Sequence, residues 1–296
     1  MEKKYNKVLI LGGTGFLGYY VLGSLDKADF DMAIMLHRKK DDLNIPFEGY
    51  SVFEGDVLKP ETLKEAMDKF KPDVVINMVG SFKADPKRIF VDSIKNVVSV
   101  SQEAGVKKII YISDLMARSD KSNAYLNARR EAEKELQKSA LDWTIFRPTT
   151  LFGWRANFTN VLKKQIEGIY PVLIPASKYK LQPMAAQSLA ESITAASFGD
   201  LGNFKIYEAV GPQTLTPKDI AGRLKLSLNS DRKILVVPIF ILKLFSFLKK
   251  IGFPTHISSS YVYVFQNKVL GDPEELQKDF NIKQIKFDPA EDHLLY

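Results

Sequence analysis

The sequence predicts an α/β fold: a doubly wound parallel sheet with a smaller C-terminal lobe. Three observations predict it. Short apolar runs alternate with helix-periodic segments between residues 7 and 146, a rhythm that calls for right-handed βαβ crossovers and a sheet covered on both faces. A glycine string, Gly12-Gly13-Thr14-Gly15-Phe16-Leu17-Gly18, follows the first run and opens the first helix. After Pro148 the rhythm breaks into longer loops and isolated helices, as expected of a lobe over the strand ends where open α/β sheets bind ligands.

Taken in order, Lys7 to Leu11 is a short apolar strand and Gly15 to Leu25 a helix. Met32 to Leu36 is a second strand, and Ser51 to Phe53 a third that leads into Gly55-Asp56. Leu63, Ala66, Met67 and Phe70 recur at helix spacing, which predicts a helix over Pro60 to Phe70. Val74 to Met78 reads as a buried strand, Ile89 to Ala104 as a helix and Lys108 to Ile112 as a further strand. Tyr125 to Ser139 is a helix rich in Ala, Glu, Lys and Arg, and Thr144 to Phe146 is a strand core. Residues 1–152 are thus expected to form the sheet domain, with 177–206 returning to it; 153–176 and 207–296 are expected to form the lobe.

With 296 residues, 45% of them hydrophobic, the chain can bury a sizeable core. It has no cysteine, which removes disulfides, thiolate zinc sites and thiol nucleophiles together; no metal site is expected. The net charge of +7 favours anionic partners or simply a solvated basic surface. Zinc-finger spacing, an RNA-binding aromatic signature and a long basic arm are all missing, so nucleic acid is not an expected partner. The start Met1-Glu2-Lys3-Lys4 followed by an apolar run from Val8 mimics a signal peptide. Glycines interrupt that run and no Ala-x-Ala-like site follows, so a strand-turn-helix accounts for it better. No run of eighteen uncharged apolar residues occurs, and no transmembrane span is expected. The expected location is cytoplasmic, or peripheral at a membrane.

The glycine string carries the strongest chemical signal. A phosphate needs close approach of backbone N–H groups and benefits from the positive end of a helix. Gly12 and Gly15 suit the turn and that approach, Gly18 lets the helix lie near the strand, and Thr14, Phe16 and Leu17 complete the loop. In this strand-turn-helix setting the pattern predicts a dinucleotide-binding Rossmann fold. Sites that prefer NAD place an acid at the end of the second strand; here that position reads His37-Arg38-Lys39. Arg38 can pair bidentately with a 2′-phosphate and Lys39 adds a point charge, so NADP(H) is expected over NAD, with His37 flanking the adenine. A solvated basic loop is the competing reading. Asp56 and Val57 offer contacts to the adenine amino group, or Asp56 caps a turn before the Pro60 helix. Asn77, Met78, Val79 and Gly80 end a strand with a small residue, where the chain can pass close to a ligand.

These residues resemble the extended and atypical short-chain dehydrogenase/reductase superfamily, of the NAD-dependent epimerase/dehydratase type. The likeness rests on the glycine loop, Gly55-Asp56, Val75 to Gly80, Tyr125 with a base four residues on, and Arg147-Pro148 leading to Phe152-Gly153. Glu103 to Lys108, Ile112-Ser113, Gln182-Pro183 and Val210-Gly211-Pro212 are similar to the nucleotide-binding accessory subunit of respiratory complex I and its stand-alone microbial relatives. The resemblance implies a Tyr and a Lys one helical turn apart; in active members the lysine stabilises the ionised tyrosine and bonds the nicotinamide ribose. Here the pair is Tyr125 and Arg129, whose planar guanidinium has a different donor geometry. The serine implied to polarise a substrate carbonyl falls on Ser113, where a structural role at the strand end is the alternative. Pro148, Thr149 and Thr150 would leave the sixth strand beside the nicotinamide.

In the second half, Val236 to Lys250 is the most apolar stretch, and Pro238 suits a helix start. Too short to span a bilayer, a Pro238–Lys250 helix either lies in a membrane interface with its lysines toward lipid phosphates or is buried in the lobe or a dimer. Trp154, Arg155, Phe158 and Tyr170 either shape a substrate pocket or form lobe core. Three functions follow: an NADP-linked oxidoreductase acting on a carbonyl or hydroxyl of a small organic substrate; an idle nucleotide-binding subunit of a respiratory complex; or a redox-sensing binding module.

Overall fold

The computed structural model describes residues 3–37, 49–81, 84–118, 123–177, 179–250, 252, 255–257, 259–265 and 270–289. In chain order the elements begin with β1 (Lys7–Leu11), α1 (Phe16–Lys27), β2 (Asp31–Leu36), β3 (Ser51–Glu54), α2 (Pro60–Phe70) and β4 (Val74–Asn77). A π-helical turn (Lys87–Asp92) leads into α3 (Ser93–Glu103), followed by β5 (Lys108–Ile112), α4 (Ala124–Gln137) and β6 (Asp142–Pro148). Then come β7 (Leu151–Phe152), α5 (Asn157–Glu167), β8 (Val172–Pro175), β9 (Met184–Ala185), α6 (Ala186–Ser197) and β10 (Lys205–Ala209). The chain closes with α7 (Pro217–Ser227), β11 (Ile234–Val237), α8 (Ile239–Lys250), α9 (Ser259–Val264) and α10 (Glu274–Phe280).

Seven parallel strands form one sheet in the order β3-β2-β1-β4-β5-β6-β10, the doubly wound arrangement expected. The order reverses between β1 and β4, which opens a crevice at the strands' carboxyl ends. There Leu11 pairs with both Met35 and Asn77. One face of the sheet buries Leu9, Leu11, Val75, Ile109 and Ile145 against Leu63, Met67, Ile94, Val97, Ala132 and Leu136 of α2, α3 and α4. The alternate residues Val8, Ile10 and Ile34 are equally buried and point to the opposite face by the strand pleat.

The chain divides into two compact units: Met1–Pro148, Leu189–Ala209 and Glu274–Ile282 form the first, Thr149–Ser188, Val210–Pro273 and Lys283–Tyr296 the second. Glu274–Ile282 was expected in the lobe, but α10 belongs to the sheet unit. Phe280 packs on Phe146 and Tyr207 at 5.7 and 5.0 Å, and Asp279 accepts from Lys205 Nζ at 2.6 Å and from the Tyr207 hydroxyl. One further expectation changes: the segment read as one helix from Ile89 starts as a π turn. Pro238 stands at the start of α8 as expected and separates it from β11.

Within the second unit β7 pairs with β9 and β8 with β11, all parallel. Gln182 Nε2 donates to the Gly211 carbonyl at 2.9 Å, and a Cβ on Gly211 would lie 1.8 Å from the Pro183 carbonyl oxygen. The Gln182-Pro183 and Val210-Gly211-Pro212 strings are therefore one packed corner. Phe158 is lobe core, stacked with Tyr261 and tilted against Phe265, and Trp154 carries Arg155 over its ring at 4.8 Å; Tyr170 is exposed.

Lys108 is fully buried at the start of β5. Its ammonium donates to the carbonyls of Ala196, Gly199 and Leu201 at 2.9, 3.0 and 2.6 Å. It thereby caps the carboxyl end of α6, where the helix dipole favours a cation. Lys108→Met should cost about 2–4 kcal/mol in urea unfolding, because three carbonyls lose a charged donor; a loss below about 1 kcal/mol would show that they re-pair. Burial pushes this lysine down to about 8, with Asp142 and Asp200 opposing. A depressed lysine binds its proton less tightly folded than unfolded. Its contribution to stability therefore rises from about pH 8 to 10.5, and that rise should vanish in the methionine variant.

Candidate functional site

The glycine loop turns at the carboxyl end of β1, and its glycines have separate tasks. Gly12 has φ +83°, and a Cβ there would lie 2.9 Å from the Met78 carbonyl carbon, so it is held by the close pass of β4's exit. Gly18 is set by packing: its Cβ would lie 2.1 Å from the Gly13 carbonyl oxygen. Gly15 differs from both. It is the N-cap of α1 with φ −77°, it donates to the Gly12 carbonyl at 3.2 Å, and a Cβ would meet only that oxygen, at 3.3 Å. Thr14 and Gly15 are exposed, while Phe16 and Leu17 are half-buried. No side chain caps α1 and no acid stands in its first turn. This helix end is left to an anion.

At the neighbouring strand ends, His37 is exposed with Nδ1 3.8 Å from Asp56 Oδ2. Asp56 Oδ1 accepts from the Leu58 N–H at 2.9 Å, so this carboxylate caps its own turn while its other oxygen faces the imidazole. Val57 is buried and its carbonyl accepts from Asn96 Nδ2 at 3.0 Å. Arg38 and Lys39 lie outside the described residues.

β4 exits through Asn77, Met78, Val79 and Gly80. The Asn77 side chain is buried, its Oδ1 accepts from the Val79 N–H at 3.0 Å, and its Nδ2 has no protein partner. Met78 N–H donates to the Leu11 carbonyl at 2.9 Å. A Cβ on Gly80 would lie 2.9 Å from Arg129 Nη2, so the small residue here makes room for the guanidinium.

Asn123 starts α4 by accepting from the Tyr125 and Leu126 N–H groups at 2.9 and 3.3 Å. One turn apart on that helix, Arg129 Nη2 donates to the Tyr125 hydroxyl at 3.2 Å. Arg129 is buried, its Nη1 donates to the Ile112 carbonyl, and its guanidinium lies 4.1 Å over the Phe90 ring. Tyr125 meets the same ring edge-on at 5.0 Å. Burial opposes the Arg129 charge, but Tyr111, Tyr125 and Asp114 outweigh it and raise the guanidinium above its ordinary range. The arginine is thus fixed between a strand end and an aromatic platform. Phe90 was not singled out by the sequence. It reaches this position from the π turn, a local irregularity common at functional sites, for which periodicity gives no signal.

Ser113 follows β5, its N–H bound to the Phe146 carbonyl at 2.8 Å and its buried hydroxyl without a partner. Burial raises the carboxyl of the adjacent Asp114 above its ordinary range, while the Met116 N–H and Arg129 oppose it. Glu133, two turns along from Tyr125, is buried and takes Arg147 bidentately at 3.0 and 2.5 Å, tying α4 to β6. Its spacing from Tyr125 and Arg129 was the available signal. Pro148 closes β6. Thr149 and Thr150 fall in the second unit, where Thr149 is buried and the Thr150 carbonyl accepts from the Met184 N–H at 3.0 Å.

Six buried side-chain polar atoms among the described residues of the first unit lack a protein partner, and three of them, Asn77 Nδ2, Ser113 Oγ and Arg129 Nε, belong to the residues just described. Buried polar groups are nearly always satisfied, so the grouping of these three at the ends of β4 and β5 and on the facing helix suits a polar ligand.

A family model described as NAD(P)H-binding matches residues 12–168. The mitochondrial NADH dehydrogenase (ubiquinone) 1 alpha subcomplex subunit 9 of Rattus norvegicus is 30% identical over 165 residues, 51% of this chain and 42% of that protein. The chain thus spans about two fifths of that relative's length. Among solved structures, an NADPH-dependent quinone oxidoreductase of Escherichia coli, complexed with NADPH, superposes with a TM-score of 0.75 at 21% identity, covering 96% of this chain and 97% of that one. A nucleoside-diphosphate-sugar epimerase of Staphylococcus aureus gives 0.75 at 17% identity, covering 96% and 100%. Both share the fold.

Proposed function

The chain belongs to the NAD(P)H-binding family, and we propose on that premise that it is an NADP-linked oxidoreductase acting on a carbonyl or hydroxyl of a small organic substrate. The observation that carries this reading is the Tyr125 hydroxyl held by the buried, charged Arg129 in the same unit as the glycine loop. The bound dinucleotide would supply or take up the hydride. Gly12 to Gly18 and the open end of α1 hold the pyrophosphate. His37, Arg38 and Lys39 surround the adenosine and its 2′-phosphate, Asp56 and Val57 meet the adenine, and Asn77 to Gly80 line the passage to the nicotinamide. Tyr125 transfers the proton, Arg129 orients the phenol and the ribose, and Ser113 polarises the substrate oxygen. Pro148, at the end of β6, completes the nicotinamide end within this unit.

A second reading is an idle nucleotide-binding subunit, favoured by the likeness to the respiratory subunit and by Arg129 being anchored on Ile112. Incubation of the purified chain with NADPH and a panel of aldehydes, ketones and quinones separates the two. Acceptor-dependent oxidation is the result expected; tight nucleotide binding with no turnover on any acceptor would establish the idle subunit.

NADPH should bind more tightly than NADH in calorimetric titration. Arg38→Ala should cost about 1–3 kcal/mol for NADPH, the value of a charge-assisted hydrogen bond, with little change for NADH. Equal affinities in the parent protein would remove the 2′-phosphate assignment.

A further inference from the structure

The second unit carries an apolar face that the nucleotide site does not use. On α8, Phe240, Leu244 and Phe247 are 67, 55 and 58% exposed, and their spacing puts them on one side of the helix. The opposite side is buried through Leu242 and Ser246. Immediately before it, Leu235 and Val236 of β11 are also exposed. Leaving large side chains in water costs about 1.5–3 kcal/mol each relative to burial, so a contiguous exposed set marks a contact surface.

The charges around this face identify its partner. Residues 232–250 hold Arg232, Lys233, Lys243, Lys249 and Lys250 and no acidic residue. Lys233, Lys243 and Lys249 are exposed, and Lys243 stands between Phe240 and Phe247 on the same helix side. A second copy of the chain would bring these lysines against their own counterparts across a twofold axis. An anionic lipid surface takes both parts: the acyl boundary receives the aromatic rings and the headgroups receive the ammonium groups. No helix of the described residues is long and apolar enough to cross a membrane. α8, with 12 residues, extends about 18 Å against a hydrocarbon core of about 30 Å, so it lies along the interface.

We propose that the β11–α8 face docks this protein, parallel to the surface, on membranes bearing anionic lipid. The proposal stands apart from the nucleotide reading, and its test uses no nucleotide.

The full chain is sedimented with vesicles of phosphatidylcholine alone and of phosphatidylcholine mixed with phosphatidylglycerol, at low and high salt. Binding to the mixed vesicles, weakened by salt and much lower on the neutral ones, is expected. Lys243→Gln with Lys249→Gln should lower the partition constant about thirtyfold, since each basic residue at an anionic surface contributes about 1 kcal/mol. Phe240→Ser with Phe247→Ser should lower it comparably or further, with both variants checked for an unchanged circular dichroism spectrum and melting curve. Failure to bind mixed vesicles at low salt, equal binding by parent and variants, or equal binding to neutral vesicles would overturn the proposal. So would a dimer in sedimentation velocity that the phenylalanine pair abolishes.

Discussion

Replacing Gly15 by valine is expected to weaken NADPH binding by about 10²–10⁴-fold, the loss of two charge-assisted hydrogen bonds to phosphate, in a protein that still folds. The backbone permits the change, because φ −77° suits any L-residue and the new Cβ meets only the Gly12 carbonyl oxygen at 3.3 Å. The rest of the side chain would occupy the exposed mouth of the turn, where a pyrophosphate must approach the uncapped N–H groups of α1. Gly18→Ala supplies the contrast. Its methyl group would overlap the Gly13 carbonyl oxygen at 2.1 Å, which no rotamer relieves, so α1 must move. Overpacking of this kind costs about 1–3 kcal/mol, occasionally more, and should appear in the melting temperature before it appears in affinity. Calorimetric titration and thermal melts of the two variants read these effects separately. If Gly15→Val binds NADPH like the parent with its melt unchanged, the phosphate loop is elsewhere.

The sheet was legible because both of its faces are covered, which makes its strands unbroken apolar runs; Lys108 to Ile112 and Val74 to Asn77 are fully buried along their length. The glycine motif was legible as a phosphate loop, but not the division of labour within it. Gly12 is required by β4, more than sixty residues away, and only the strand order brings the two together. Buried charges were illegible for a similar reason. Lys108 reads as the polar start of a strand until the end of α6 and the turn after it place three carbonyls around it, and Glu133 reads as a solvated helix residue until β6 supplies Arg147. The π turn has no sequence period of its own; Phe90 shows its purpose only beside Arg129. α10 was assigned to the lobe by chain order, yet aromatic packing on Phe146 and Tyr207 takes it to the sheet.

Tyr125→Phe is expected to lower acceptor-dependent NADPH oxidation by about 10²–10⁴-fold, the range for loss of a positioned general acid or base, with NADPH affinity within a factor of a few of the parent. Removing the hydroxyl leaves the ring on Phe90, where its edge-on packing at 5.0 Å does not involve the oxygen, so the fold has little reason to change. Arg129 should behave differently, because its guanidinium has three attachments. Its Nη2 donates to the phenol, its Nη1 holds the Ile112 carbonyl, and its plane rests on Phe90. As long as the guanidinium donates to the Tyr125 oxygen, it favours negative charge developing there as the proton leaves, in a buried setting where such a contact is strong. Arg129→Met keeps an apolar chain over Phe90 but leaves Ile112 without its donor and the phenol without its cation. Turnover should fall with Tyr125→Phe, and stability should fall as well. Arg129→Lys retains the charge, yet a single ammonium cannot reproduce the planar fork that serves Ile112 and Tyr125 together. The lysine variant should therefore bind NADPH within a factor of a few of the parent, and its change in kcat reports which of the two contacts the ammonium chooses. Turnover in the parent that survives Tyr125→Phe undiminished would show that the chemistry does not pass through this pair.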